Sequence, residues 1–299
     1  MTAPLKENVV APIAADKIVH KGEVISYESA KKKLGDGPMR FAPIDERSVE
    51  DQIAALSPSE RECVDNLKTR WEKKSSGYAF SDSMYLRFAR CSPGPEKFNE
   101  EAAWKVMKKF DSRYLTLTAV QQEKQLISKT LFVVPELKSK DGHDVFYMRP
   151  SRYFPKQTST KEIIDNLAYC MQVMVEKEKA CTEGIAFMAN MADWSFSNFS
   201  VSYCHQFMMM LQGRVPVRVR LFLIVNPPSW FGKIWSIMKP MLAADFRKKV
   251  HMIPCSQLND HLEDNFVDKL PDDIDIGKAD TQAMVSDFVA YRKFVEEAM

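Results

Sequence analysis

The ten glycines of this 299-residue chain never fall into GxGxxG or GxxxxGK[ST], which leaves a dinucleotide fold or a P-loop without its signature. No GxSxG elbow is present, so the usual exposed-serine hydrolase turn is missing. The five histidines, His20, His143, His205, His251 and His261, show neither HExxH nor any paired-ligand spacing, and no metal is expected. His205 follows Cys204 on one expected helix, where neighbours point in different directions, so a Cys–His couple would need a second histidine. The six cysteines are scattered with no CxxC pair, which fits reduced thiols better than a disulfide or zinc framework. No apolar run reaches the ~18 residues of a spanning helix. The first seventeen residues lack the apolar core of a secretory leader. The expectation is a cytoplasmic protein that is not an enzyme.

What the chain does carry is concentrated in one stretch, 214–250. It begins with a β-branched, apolar run, Val217, Val219 and then Leu221 to Val225, the pattern of a strand buried on both faces. Asn226-Pro227-Pro228 breaks that strand. A helix is expected over 230–242, and its apolar residues cover two stripes where a surface helix has one. The plain alternative is a core helix lying on a sheet; the other is a lid with apolar surface to spare. Charge bears on what the outer face of that segment could meet. The stretch holds eight Lys/Arg against one acid, whereas 251–299 holds eleven acids against four bases. A cationic block beside an apolar helix suits an anionic membrane, at roughly 1 kcal/mol per cation near the surface. Few aromatics interleave with it, so nucleic acid is a poor partner.

Elsewhere the pattern is helical first and alternating later. Residues 1–48 show little periodicity and read as a disordered or extended arm. Ser57-Pro58-Ser59-Glu60 is a capping box opening a helix with Cys63, Val64, Leu67 and Trp71 on one face. Two more helices follow, DSMYLRFARC with Arg87 and Arg90 three apart on one side, and EKFNEEAAWKVMKKF, then a short one at 119–128. Strands are expected at 131–135, 144–150, 184–191, 217–225 and 250–253. The strand at 184–191 is nearly all apolar and so central. Helices are expected at 158–179, 199–212 and 281–298, with another capped by Ser256. Strands alternating with helices argue a mostly parallel sheet. The fold class is therefore α/β, an all-α N-terminal part followed by a mostly parallel five-stranded sheet.

The order strand-NPP-WF-x₃-W-x₂-MKP-x₈-KVHM resembles the second half of the CRAL-TRIO lipid-binding domain. DSMYLRFARC with EEAAWKVMKKF resembles that family's helical subdomain, VFYMRPSRYFP its early strand, and GIAFMANMADWSFSNF its ligand-floor strand. The resemblance runs over about 55–275. It implies a helical subdomain at 49–129, a lipid-binding domain at 130–276 and a closing helix at 277–299. It also implies an apolar cavity, one bound lipid in place of any cofactor, no reaction, and a gate helix at about 228–242 carrying Pro228, Trp230, Phe231, Trp235 and Met241. Cavity positions would be Ile185, Phe187 and Ala189 on the floor strand, and Trp194, Phe199, Tyr203 and Phe207 after it. Ile224 would follow on the gate strand, with Trp230, Ile234, Trp235 and Met238 on the gate. Basic residues at matching places, Arg87, Arg90, Arg218, Arg220, Arg247, Lys248 and Lys249, would meet phosphoinositide membranes.

The chain departs from the phosphatidylinositol-transfer members. Val217 stands where they carry Glu, Phe246 where they carry Thr, and Ile185 and Phe187 where they carry Ser/Thr; Lys249 alone is kept. A phosphate head inside would lack donors, and burying it unpaired costs several kcal/mol. The family's closing motif is replaced by LPDDIDIGK. The expected activity is carriage of a tocopherol-, retinoid-, carotenoid- or sterol-like lipid by a monomer that visits membranes transiently. The alternative is a phosphoinositide-binding trafficking or signalling adaptor.

Overall fold

The computed structural model describes residues 7, 10, 11, 13, 16–43, 46–74, 78–94 and 98–297. Its helices are α1 Tyr27–Leu34, α2 Asp36–Met39, α3 Val49–Ala54, α4 Pro58–Lys74, α5 Asp82–Arg90, α6 Glu100–Lys109, α7 Ala119–Ile127, α8 Thr160–Met174, α9 Glu178–Glu183, α10 Val201–Leu211, α11 Phe231–Met238, α12 Ala244–Arg247 and α13 Thr281–Glu296. The strands are β1 Lys17–His20, β2 Glu23–Ser26, β3 Leu131–Lys138, β4 Asp144–Met148, β5 Ile185–Asn190, β6 Val219–Val225 and β7 Val250–Ile253.

β3 to β7 form one sheet in sequence order. β3 runs antiparallel to β4, and the remaining pairs are parallel. β5 is the middle strand and buried throughout, as its unbroken apolar run requires. Helix starts follow their caps. Ser57 and Glu60 bond each other's backbone N–H groups at 3.3 and 3.0 Å, and Ser159 and Glu162 do the same at α8. The expected helix at 158–179 is two helices, because the chain leaves α8 at Val175 and turns Glu176 inward. Gly184 then turns into β5 at φ 102°, where a Cβ would lie 2.6 Å from the Arg218 carbonyl oxygen. The helix expected after Ser256 is a 3₁₀ segment, Cys255–Asp260.

The expected arm is folded where it is described. β1 and β2 form a hairpin, and with α1 and α2 they bury Ile18, Ala30 and Met39 against Tyr291 and Val295 of α13. The His20 ring stacks on Phe294 at 3.8 Å. Positions 1–6, 8, 9, 12, 14, 15, 44 and 45 of that arm, and 298–299 of the closing helix, lie outside the described residues. The LPDDIDIGK segment closes on its own chemistry. Asp272 accepts from the Thr281 backbone N–H at 3.2 Å and from its hydroxyl. Asp273 accepts from the Tyr147 hydroxyl and pairs with Arg152 at 3.2 Å. Among the described residues no helix is long and apolar enough to cross a membrane.

Candidate functional site

Side chains alternate along a strand, so positions two apart share a face. Met148 on β4, Ala189 on β5 with Met191 just beyond its end, and Phe222 and Ile224 on β6 meet on one face at the C-terminal ends of the parallel strands. That end of an α/β sheet is where ligands bind in open α/β folds. α10 supplies a wall of Tyr203, Cys204, Phe207 and Met208, and α11 supplies a roof of Phe231 and Met238. Pro150, Tyr153, Trp194 and Asn198 complete the hollow, whose volume is about 60 Å³. Ordinary ligand sites measure ~300–1,000 Å³. With α11 seated, this one is nearly filled.

No charged side chain lines the hollow among the described residues. Asn198 is fully engaged. Its amide donates to the Ser151 and Tyr153 carbonyls at 2.9 Å each, and its oxygen accepts from Ser195. The hydroxyls of Tyr153 and Tyr203 have no hydrogen-bond partner, although both are buried and their rings lie 4.7 Å apart. Burial pushes the Tyr203 phenol up from its ordinary value and the Cys204 thiol up to about 11, so both stay neutral.

The roof is held at both ends. Asn226 takes φ 52°, a left-handed turn that asparagine tolerates, and its side chain accepts from the Cys255 N–H at 2.8 Å. Pro227 and Pro228 stiffen the approach, and the Pro228 carbonyl accepts from Phe231 at 2.8 Å. Trp230 stacks between Trp194 at 4.9 Å and Phe196 at 4.3 Å. At the far end Gln212 donates to the Met241 carbonyl at 3.0 Å and accepts from the Ala243 N–H at 2.7 Å. Only Phe231, Ile234 and Met238 of α11 are buried. Trp235 is half-buried against Phe231, and Ile237 faces outward. The expected helix thus ends at Met238, with a 3₁₀ turn at Lys239–Met241.

Of the twelve expected cavity positions, Ala189, Trp194, Tyr203, Phe207, Ile224 and Met238 line the hollow. Phe187 is solid core, its ring against Phe146, Phe207 and Phe222. Ile185 pairs with Val219 at the opposite end of the strands. Phe199 packs on Trp194, and Trp230, Ile234 and Trp235 pack against the core around the hollow without lining it. Met148, Pro150, Tyr153, Met191, Asn198, Cys204, Met208 and Phe222 were not foreseen. The two-residue alternation of β4 to β6 was the signal for the strand members.

The basic residues divide. Arg87 and Arg90 are inside the molecule, at 4% and 6% exposure. α5 is covered by α3 and α9, and Arg90 bonds Glu178 at 2.8 Å and Gln52. They do not form part of a surface patch. Arg220 and Lys249 line an open groove of about 460 Å³ with Asp141, His143 and Glu183. Arg218 donates to the Thr182 carbonyl, and Lys249 to that of Val219 at 2.7 Å. Burial, with Arg220 and Arg218 nearby, holds the Lys249 ammonium below its usual value. Arg247 and Lys248 are exposed, the latter 3.1 Å from Asp245. This groove lies where β6 and β7 begin, while the hollow lies where β6 ends. The α11–α12 crossover runs from one to the other.

Residues 128–273 match the family model for the CRAL/TRIO domain. The human alpha-tocopherol transfer protein-like protein is 25% identical over 200 residues, 64% of this chain and 54% of that protein. The mouse tyrosine-protein phosphatase non-receptor type 9 is 21% identical over 131 residues, 44% of this chain and 22% of the phosphatase. The chain thus spans about a fifth to about half the length of these relatives. The crystal structure of Sfh5 superposes with a TM-score of 0.49 at 13% identity, covering 70% of this chain and 85% of that one.

Proposed function

We propose that this chain, which carries a CRAL/TRIO domain over 128–273, binds a single hydrophobic lipid beneath α11 and carries it between membranes without chemical change. The observation that supports this most is a hollow with an apolar lining, roofed by one short helix that packs Phe231, Ile234 and Met238 inward and is anchored at its ends by Trp230 and the Gln212–Met241 hydrogen bond. A bilayer interior is as apolar as such a lining. Moving a tail between them changes little, whereas exposing it to water costs ~0.8 kcal/mol per CH₂. The cargo therefore exchanges at a membrane, with α11 swinging on Asn226-Pro227-Pro228 and releasing Gln212. Phe196, stacked on Trp230, and Ile237 of α11 are exposed and could enter the interface as the helix opens. Arg220, Arg247, Lys248 and Lys249 give the crossover's other end a cationic face for anionic, phosphoinositide-bearing lipid. On this reading the protein is cytoplasmic, acts as a monomer and visits membrane surfaces transiently.

Trp230→Ala with Phe231→Ala is expected to slow lipid transfer between donor and acceptor vesicles at least fivefold while leaving the far-ultraviolet circular dichroism unchanged. Equal transfer rates would remove α11 from the mechanism. A second reading is favoured by the small volume of the hollow: an adaptor whose basic groove binds phosphoinositide and whose pocket is only structural. Native mass spectrometry of gently purified protein separates the two, since a carrier retains one lipid per chain and an adaptor none.

A further inference from the structure

We infer that His251 and His261 form a binding site for one exchangeable divalent transition-metal ion of the zinc type, at the edge of the sheet and on the face away from the hollow. The inference goes beyond the carrier reading and does not depend on it.

The positions of the two histidines match no metal-ligand spacing, and the fold brings them together. His251 lies on β7, the edge strand of the sheet. It stands in register with Leu223, between Phe222 and Ile224 of the hollow, so its side chain leaves by the opposite face. His261 follows the 3₁₀ segment Cys255–Asp260. Its N–H donates to the Leu258 carbonyl at 3.0 Å, and its own carbonyl accepts from the Lys140 N–H at 2.8 Å, which fixes the backbone beneath the ring. The two ring centroids are 5.1 Å apart with planes inclined at 48°. That inclination lies between the stacked and edge-to-face arrangements that aromatic pairs prefer. Two imidazoles on one tetrahedral ion, each with a metal–nitrogen bond of ~2.0–2.1 Å, hold their centroids roughly 5 Å apart. The pair is thus already spaced for an ion between the rings.

The nitrogens are also free to bind one. His20 and His143 each direct a ring nitrogen at a protein oxygen, whereas among the described residues neither His251 nor His261 makes a hydrogen bond or ion pair through its ring. His251 is exposed and His261 half-buried, so an ion can reach them. Of the charged groups acting on His261, Asp260 favours a cation and Lys140 opposes it. Imidazole donors suit zinc, copper and nickel, while magnesium and calcium ask for oxygen. No third His, Cys, Asp or Glu completes the set among the described residues. Water fills the remaining positions, and the ion exchanges where a fully enclosed one would hold the fold together.

The full chain, free of any affinity tag, is titrated calorimetrically with zinc chloride and, for comparison, magnesium chloride. Zinc is expected to bind in the micromolar range and magnesium not at all. His251→Asn and His261→Asn should each weaken zinc at least about tenfold, whereas His205→Asn, on α10, should leave it unchanged. Zinc should raise the urea midpoint of the parent and not that of His261→Asn. Cobalt(II) bound to the unaltered chain gives a reading that needs no variant: its visible bands should be those of a nitrogen and oxygen set, and a thiolate charge-transfer band would move the ion to a cysteine and overturn the pair. No zinc uptake by the parent, or full affinity in either His251→Asn or His261→Asn, would overturn it as well. Each of these results leaves the carrier reading where it stands.

Discussion

Arg292 and Tyr203 both bring polar atoms into the interior, and the chain surrounds them in opposite ways. Arg292 sits at the seam where α13 meets α8. Its guanidinium donates twice to Glu176, at 2.6 and 3.0 Å, to Glu296 at 2.8 Å and to the Tyr169 hydroxyl at 3.2 Å. Tyr169 donates on to Glu296 at 2.8 Å, whose second oxygen accepts from the first N–H of α7 at 2.6 Å. Burial opposes the Arg292 charge, and Glu176, Tyr169 and Glu296 outweigh it, so the group stays ionised. Arg87 nearby is less well provided: burial holds its guanidinium below its ordinary value against the opposite charges of Glu176 and Glu7, and its terminal nitrogens lack hydrogen-bond partners. Tyr203, with Tyr153, has neither a hydrogen-bond partner nor a counter-charge. A network closed within the chain holds the fold together. The unpartnered hydroxyls of Tyr153 and Tyr203 contribute no such closure.

The comparison breaks most visibly at the seam. Arg292→Met leaves Glu176 and Glu296 buried without their cation, which is expected to cost about 3–5 kcal/mol in urea denaturation. Replacing Glu176 by Met as well should recover much of that loss, because apolar side chains often substitute for a buried pair. A loss under about 1 kcal/mol for the single variant would mean that the closed network does not bear on stability.

A smaller effect is expected at the seam's outer edge, where Glu178 binds buried Arg90 at 2.8 Å and surface Arg47. Burial raises the Glu178 carboxyl, but the two arginines outweigh it and hold it below the ordinary value of 4.5. A carboxylate depressed in the folded state stabilises above its unfolded value, and that stability is lost as the pH falls through the folded one. Glu178→Gln should cost about 1–2 kcal/mol at neutral pH. The gap to the parent should narrow as the pH drops below 4.5. A gap that stays constant into acid would assign the effect to shape and not to charge.

Local signals carried much of this architecture. The capping residues Ser57, Glu60, Ser159 and Glu162, the apolar run of β5 and the Asn226-Pro227-Pro228 break are each readable within a few positions. The failures are long-range. Nothing near His20 announces that its ring stacks on Phe294, so a weakly periodic arm looked unstructured. Arg87 and Arg90 share a helix side that reads as solvent-facing, and only the docking of α3 and α9 buries it. α11 was legible as an overly apolar helix, yet how closely it packs depends on how the bulky side chains of α10 fill the space below. Tyr153 escaped notice because its partner ring, Tyr203, is fifty positions away.

The smallest effect lies in the hollow and has the opposite sign to the seam. Removing a hydroxyl that has no partner in a hydrocarbon setting relieves an uncompensated desolvation. Tyr203→Phe is therefore expected to stabilise the lipid-free protein by about 1 kcal/mol, read as a higher urea midpoint at unchanged slope. If Tyr203→Phe destabilises the empty protein, the hydroxyl already has a partner in solution, and the contrast with Arg292 disappears.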